Sequence, residues 1–144
     1  MGKPKSPRRV ADNEALAVGT QIRGSAQKLN LVAALIRGRK AEDARNVLAF
    51  STKAMAIDVR KVLESAIANA ASVGGIDPME LVVTEARVNG GFIIKRFRPQ
   101  ARGRAHARQK RCSHIHVAVA KADAAPKPKK KSAPKSTAAP VAAK

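Results

Sequence analysis

Apolar positions along this chain follow two different periods. Between residues 15 and 22, Leu16, Val18, Thr20 and Ile22 alternate with Ala15, Ala17, Gly19 and Gln21. That is the two-residue repeat of a strand buried on one face, with Leu16, Val18, Thr20 and Ile22 together on one side. Gly24 ends the repeat, and Ser25 is placed to cap a helix whose Ala26, Leu29, Val32, Ala33 and Ile36 share one side up to about Gly38. A shorter helix over residues 41–48 turns Ala44, Val47 and Leu48 inward. Thr52 is the expected cap of a third, longer helix with an apolar stripe of Met55, Val59, Val62, Leu63, Ala66, Ile67 and Ala70, stopped by Gly74 and Gly75. Arg60 and Glu64 lie one turn apart on its outer side, a pair worth only about 0.2–0.5 kcal/mol.

After the Asp77-Pro78 turn the period returns to two. Residues 82–97 favour a strand with Val82, Thr84, Ala86 and Val88 on one face, interrupted at Gly90-Gly91, where a bulge or bend is expected. From Ser113 a second strand alternates Ile115, Val117 and Val119 against His114, His116 and Ala118. Pro99 and Gly103 separate the two, so the simplest connection is a long antiparallel hairpin, about residues 87–119, with its tip between 98 and 105. If residues 87–99 form one limb, the arm is about 40 Å long at about 3.4 Å per residue. Strand periods thus lie before and after a run of three helical ones.

Composition changes the picture at the arm. The 144 residues carry 29 Lys and Arg against 10 Asp and Glu, a formal net charge of +19. The length suits one domain with one modest core. Residues 93–111, IIKRFRPQARGRAHARQKR, hold six arginines and two lysines with no acid. A surface built for solubility mixes signs; this one selects a polyanion. Arginine's planar fork suits phosphate better than a diffuse lysine cushion does. An isolated two-stranded ribbon is marginal in water, and repulsion weakens this one further, so the arm is expected to become ordered only against nucleic acid. With three Phe and no Tyr or Trp, the stacking platforms of sequence-reading single-strand binders are missing. A basic ribbon fits folded RNA or a DNA groove, and the residues alone leave both open.

Charge also marks the ends. Residues 1–9 read as a flexible basic lead, residues 10–123 as one nucleic-acid-binding domain, and residues 124–144, with six Lys and no acid, as a disordered Ala/Pro/Lys-rich tail. No apolar run approaches the roughly 18 residues a spanning helix needs, so no membrane partner is expected. A single cysteine, Cys112, excludes an internal disulfide and fits a reducing compartment. Cys112, His114 and His116 would share one strand face, but 112 and 116 are about 13 Å apart along a strand and no fourth ligand is evident. The expectation is no metal and no cofactor. Catalytic motifs of the metalloprotease, phosphate-loop and nucleophile-elbow kinds are absent, so no catalytic residue is assigned and no enzyme is expected.

Three stretches carry a family likeness: SAQKLNLVAALIRGR at residues 25–39, KVLESAIANA at 61–70, and KRFRPQARGRAHARQKRCSHIHVAV at 95–119. Together they resemble the bacterial large-subunit ribosomal protein twenty-two family. The resemblance spans about residues 8–121. It implies an α+β fold, a small antiparallel sheet packed on three helices, with that body bound to large-subunit rRNA near the exit of the nascent-peptide tunnel, and a long basic hairpin threading through rRNA with its tip in the tunnel wall. The implied partners are large-subunit rRNA, neighbouring large-subunit proteins and the nascent peptide, in a ribosome in the cytoplasm, with no homo-oligomer.

Motif by motif, the likeness marks Ser25, Lys28, Arg37 and Gly38 on the first helix, Lys95, Arg96, Pro99, Ala101, Gly103, Arg104 and Ala105 at the tip, and Lys110, Arg111, Ser113, His114 and Ile115 on the returning strand. With the remaining cations of the arm, the expected RNA-binding set is Ser25, Lys28, Arg37, Arg87, Lys95, Arg96, Arg98, Arg102, Arg104, Arg108, Lys110, Arg111 and His114. The expected tunnel-lining tip comprises Lys95, Arg96, Phe97, Arg98, Pro99, Gln100, Ala101, Arg102, Gly103 and Arg104. Gln100 stands where many relatives carry a basic residue, and Cys112 where Thr is usual. The rival reading is a DNA-compacting architectural protein, which a basic β-arm and a Lys-rich tail would also serve.

Overall fold

Three helices lie on one face of a three-stranded antiparallel sheet, and two of the strands run far beyond them. The computed structural model describes residues 14–122; the basic lead and the Ala/Pro/Lys-rich tail lie outside the described residues. In chain order the elements are β1 (Glu14–Arg23), α1 (Ala26–Ile36), α2 (Ala41–Ala49), α3 (Met55–Gly74), β2 (Leu81–Pro99) and β3 (Ala105–Lys121). A short 3₁₀ turn precedes β2 at Pro78–Glu80, and another forms the hairpin tip at Ala101–Gly103. The strand order is β1-β3-β2, so β3, last in sequence, is the centre.

The helical stripes fall where the period places them. Leu29, Val32, Ala33 and Ile36 of α1, Ala44 and Leu48 of α2, and Val59, Leu63, Ala66 and Ala70 of α3 are buried in one cluster with Ile115, Val117 and Val119 of β3. Val62 and Ile67 pack against that cluster while partly exposed. Ser25 does occupy the N-cap of α1, but its side chain makes no capping hydrogen bond. For α3 the expected cap is displaced: the N-cap is Ala54, not Thr52, and the Ala56 N–H donates to the Lys53 carbonyl at 2.8 Å instead. A backbone turn there supplies the acceptor that a side chain would otherwise give. At the other end Gly75 takes the left-handed conformation at φ 58° and donates to the Ala71 carbonyl, the cap that glycine alone adopts without cost.

The strand faces differ from expectation, and bulges are the reason. In β1 the buried residues are Ala15 and Ala17, while Leu16 is half-buried and Val18 is 46% exposed. Ile22 is nevertheless buried, because the register slips between Gly19 and Ile22, where Gln21 adopts φ 59°. One extra residue moves every later side chain to the other face. The same happens in β2: Leu81 and Val83 point inward, a bulge lies between Val83 and Glu85, and beyond it Ala86 is buried and Val88 packs on the core. The expected single face of Val82, Thr84, Ala86 and Val88 is therefore broken at Thr84, and Ala86 and Val88 share the inner side with Leu81 and Val83. Thr84, the extra residue, donates its hydroxyl to the Ala118 carbonyl at 3.2 Å. Gly19 is a contact residue; a Cβ there would sit 2.5 Å from the Val62 Cγ2 and 3.1 Å from the Ile115 Cγ2, so α3 can approach β1 closely only over glycine.

Cross-links to the helices hold the sheet in place. The Asn69 amide of α3 donates to the Leu16 carbonyl at 3.1 Å. The loop after α1 pairs with the edge of β2, Gly38 donating to Val83 and Val83 to Arg39, each at 2.9 Å. Glu64 on α3 reaches both Arg60 at 3.2 Å and Arg45 of α2 at 3.5 Å, exposed pairs that add little to stability. Among the described residues no helix is long and apolar enough to cross a membrane.

Candidate nucleic-acid interface

β3 is a continuous spine from the body to the tip. It pairs with β1 only as far as Arg23↔Cys112, and with β2 all the way to Pro99↔Ala105. The free ribbon therefore comprises seven rungs, Ile93↔Arg111 to Pro99↔Ala105, about 24 Å at about 3.4 Å per residue, rather than the longer arm the sequence suggests. It is shorter because β1 covers the root of the hairpin. At the tip the Gln100 N–H donates to the Arg104 carbonyl at 2.7 Å, and Arg102 and Gly103 both take left-handed backbone, φ 58° and 67°. In Arg102 that conformation costs about 1 kcal/mol or more, which exposes its guanidinium at the extreme end of the molecule.

All eight cations of residues 93–111 are exposed, as are Phe97 (77%), Pro99, Gln100, Ala101 and Gly103. Ion pairs among the described residues belong to the body and the strand ends near it: Glu64 with Arg45 and Arg60, Glu80 with Lys121, Glu85 with Arg87. Arg87, expected in the interface, thus faces an acid on its own strand, with Nε 2.8 Å from the Glu85 carboxylate. Between residues 86 and 122 the sequence has no acid at all. Among the described residues no ion pair involves the cations of residues 93–111.

The other expected residues divide. Ser25 lies beside Arg111, Ile93 and Gly91 in a groove at the root of the arm, so it joins the basic ribbon. Lys28 is exposed on α1. Arg37, also exposed, sits at the C-terminal end of α1 and has internal work: its Nε donates to the Ala86 carbonyl at 2.8 Å and a terminal nitrogen donates to the Asn30 side chain. Three of its five donors remain for an outside ligand.

His114 is half-buried between two bulges. Its Nδ1 accepts the Gln21 N–H at 3.1 Å, and on the other side a Cβ on Gly91 would lie 3.0 Å from Nε2. The ring thus fills the joint where the ribbon leaves the body. Ser113 beside it is fully buried and donates to the Gly24 carbonyl at 2.8 Å, a second tie at the same joint. The free thiol of Cys112 is buried, and among the described residues no three His, Cys, Asp or Glu side chains cluster as metal ligands would.

One cation escaped the sequence reading. Arg23 ends β1 opposite Cys112 and lines a groove with Ser25, Ile94, Lys110 and Arg111. Nothing local signals this, because the β1–β3 pairing joins residues some ninety positions apart.

An α+β body carrying a bare cationic ribbon defines a class of protein made to lie along a polyanion. Residues 17–120 match the sequence model of the family described as Ribosomal protein L22p/L17e, and the chain belongs to that family. Over 105 residues it is 70% identical to the large ribosomal subunit protein uL22 of Sphingopyxis alaskensis, covering 73% of this chain and 83% of the relative. It is 65% identical to the uL22 of Novosphingobium aromaticivorans, covering 73% and 84%, and 59% identical to that of Zymomonas mobilis, covering 73% and 83%.

Proposed function

We propose that the protein is a structural constituent of the large ribosomal subunit, a scaffold rather than an enzyme, working in the cytoplasm within the ribosome. Its body docks on large-subunit rRNA, and the ribbon runs between rRNA segments. There Lys95, Arg96, Arg98, Arg102, Arg104, Arg108, Lys110 and Arg111 neutralise phosphates that would otherwise repel one another. Ser25, Lys28, Arg37 and Arg87 extend the contact onto the body, and His114 sets the direction in which the ribbon leaves. The tip, residues 95–104, borders the path of the nascent peptide, and neighbouring large-subunit proteins flank the body. The chain acts as one copy per particle.

The observation that carries this reading is the acid-free ribbon, eight cations over residues 93–111, on a chain of this family. A DNA-compacting role explains the charge equally well but not the family, and is set aside. Replacing Lys95, Arg96, Arg102 and Arg104 together by Ala is expected to slow large-subunit assembly, seen as accumulating precursor particles in sucrose gradients. Normal particles with an unchanged tunnel would reject the assignment. Recovery of the cross-linked arm mainly on genomic DNA would reject the ribosomal reading as a whole.

A further inference from the structure

Residues directly opposite one another in an antiparallel ladder project from the same face. In the free ribbon, Ile94↔Lys110, Arg96↔Arg108 and Arg98↔His106 share one face, and Ile93↔Arg111, Lys95↔Gln109, Phe97↔Ala107 and Pro99↔Ala105 share the other. The first face carries a basic side chain on five of its six positions, whereas the second carries two cations in eight, with one amide, Gln109, and otherwise apolar or small side chains. Because the register slips in β1 and β2 while β3 runs through, the faces can be followed into the body. Lys110, Arg108 and His106 continue the open side of the sheet, with His114 and His116; Arg111, Gln109 and Ala107 continue the helix side, with Ile115 and Val117.

The ribbon is thus two-sided, and its cations are not equivalent. Arg96 and Arg108 face each other across the ladder with Cβ atoms about 5 Å apart, an arrangement that weakens a ribbon in water. Arg98 and His106 repeat it one rung outward on the same face, about 6.8 Å along, and Lys110 precedes it by the same step. An anion seated between the opposed guanidiniums turns that repulsion into a bidentate clamp from both sides. Steps of this length follow successive phosphates of one nucleic-acid strand.

Resting on the rRNA-binding reading above, the geometry points to a phosphate track on the open-sheet face of the ribbon, with the Arg96–Arg108 pair as its central clamp. The opposite face, around Phe97, does not track a backbone. Charge complementarity selects the occupant: a single run of RNA phosphates, seated on the track rather than shared evenly around the arm.

The test compares two double variants of the full-length protein, matched in charge removed, for binding to a transcript of large-subunit rRNA over a range of salt. Arg96→Gln with Arg108→Gln takes away the clamp; Lys95→Gln with Arg111→Gln takes away the cations of the other face. The first is expected to reduce the slope of log K against log salt by about 0.7–0.9, the contribution of one phosphate, and to weaken binding about five- to eightfold at 0.1 M salt. The second should change the slope by less than half as much. Arg96→Lys with Arg108→Lys should keep the slope near the unmodified value, since the charges remain. Equal losses in the two Gln doubles would overturn the track while leaving RNA binding intact. Should the unmodified protein show no preference for large-subunit over small-subunit transcript, the ribosomal reading fails instead, and the comparison of faces can still be read on either RNA.

Discussion

The same two strands, β2 and β3, are sealed at one end and bare at the other. Near the body, Leu81, Val83 and Ala86 face Val117 and Val119 under α1 and α3, and each of these side chains is essentially unexposed. Beyond Arg111 the ladder continues rung for rung, yet Phe97 is 77% exposed, Ile93 41%, and among the described residues no ion pair involves the cations there. The β2–β3 ladder therefore runs through both halves, and what separates them is packing and the third strand, which stops at Arg23↔Cys112. Ladder bonds exchange water partners for protein partners at a small net gain, whereas burial of apolar surface is the main favourable term. Geometry that is regular throughout can thus be stable in one half and dependent on a partner in the other.

The sharpest way to break this comparison is amide hydrogen exchange on the free protein. Residues 95–108 are expected to exchange about a thousandfold faster than residues 115–119, since local opening of an unpacked ribbon costs almost nothing and opening of the core approaches global unfolding. Comparable protection in the two segments would mean that the ribbon holds itself. Next in size is truncation of the core: Leu63→Ala removes a fully buried side chain and should cost about 2–5 kcal/mol in urea unfolding, while Phe97→Ala in the arm should cost under about 0.5 kcal/mol.

The joint between the halves gives a smaller effect. Gly91→Ala would put its new carbon 3.0 Å from His114 Nε2 and 3.1 Å from the Cys112 carbonyl, with an expected cost of about 1 kcal/mol and a redirected arm, measured by unfolding and by cross-linking to rRNA. Gly90→Ala next to it meets nothing within 4 Å and should be close to neutral. Smallest is Glu64→Ala, which removes two exposed ion pairs, one within α3 to Arg60 and one to Arg45 of α2, and should shift stability by about 0.3–0.5 kcal/mol, less at high salt.

How much of this was legible beforehand depends on how far apart the interacting residues lie. Helical stripes could be read because a turn of helix brings together residues three and four apart, and Leu29, Val32, Ala33 and Ile36 needed no partner to define their face. The expected α3 cap failed because a backbone carbonyl, Lys53, substituted for the Thr52 side chain. Strand faces failed at Thr84 and between Gly19 and Ile22, where one extra residue reverses the alternation. For the interface, every cation of residues 93–111 was visible as charge. Arg23 was not, and neither was the engagement of Arg37 with Ala86 and Asn30.

The amino-acid order alone determined the helices, the strand segments on either side of them, the acid-free cationic stretch and the family, because each is carried by residue types or by contacts within a few positions. Only the tertiary structure decided which strand is central, how much of the hairpin stands free, and which cations share a face. Those depend on register between strands distant in sequence, and a register changes with a single bulged residue whose position no local propensity specifies.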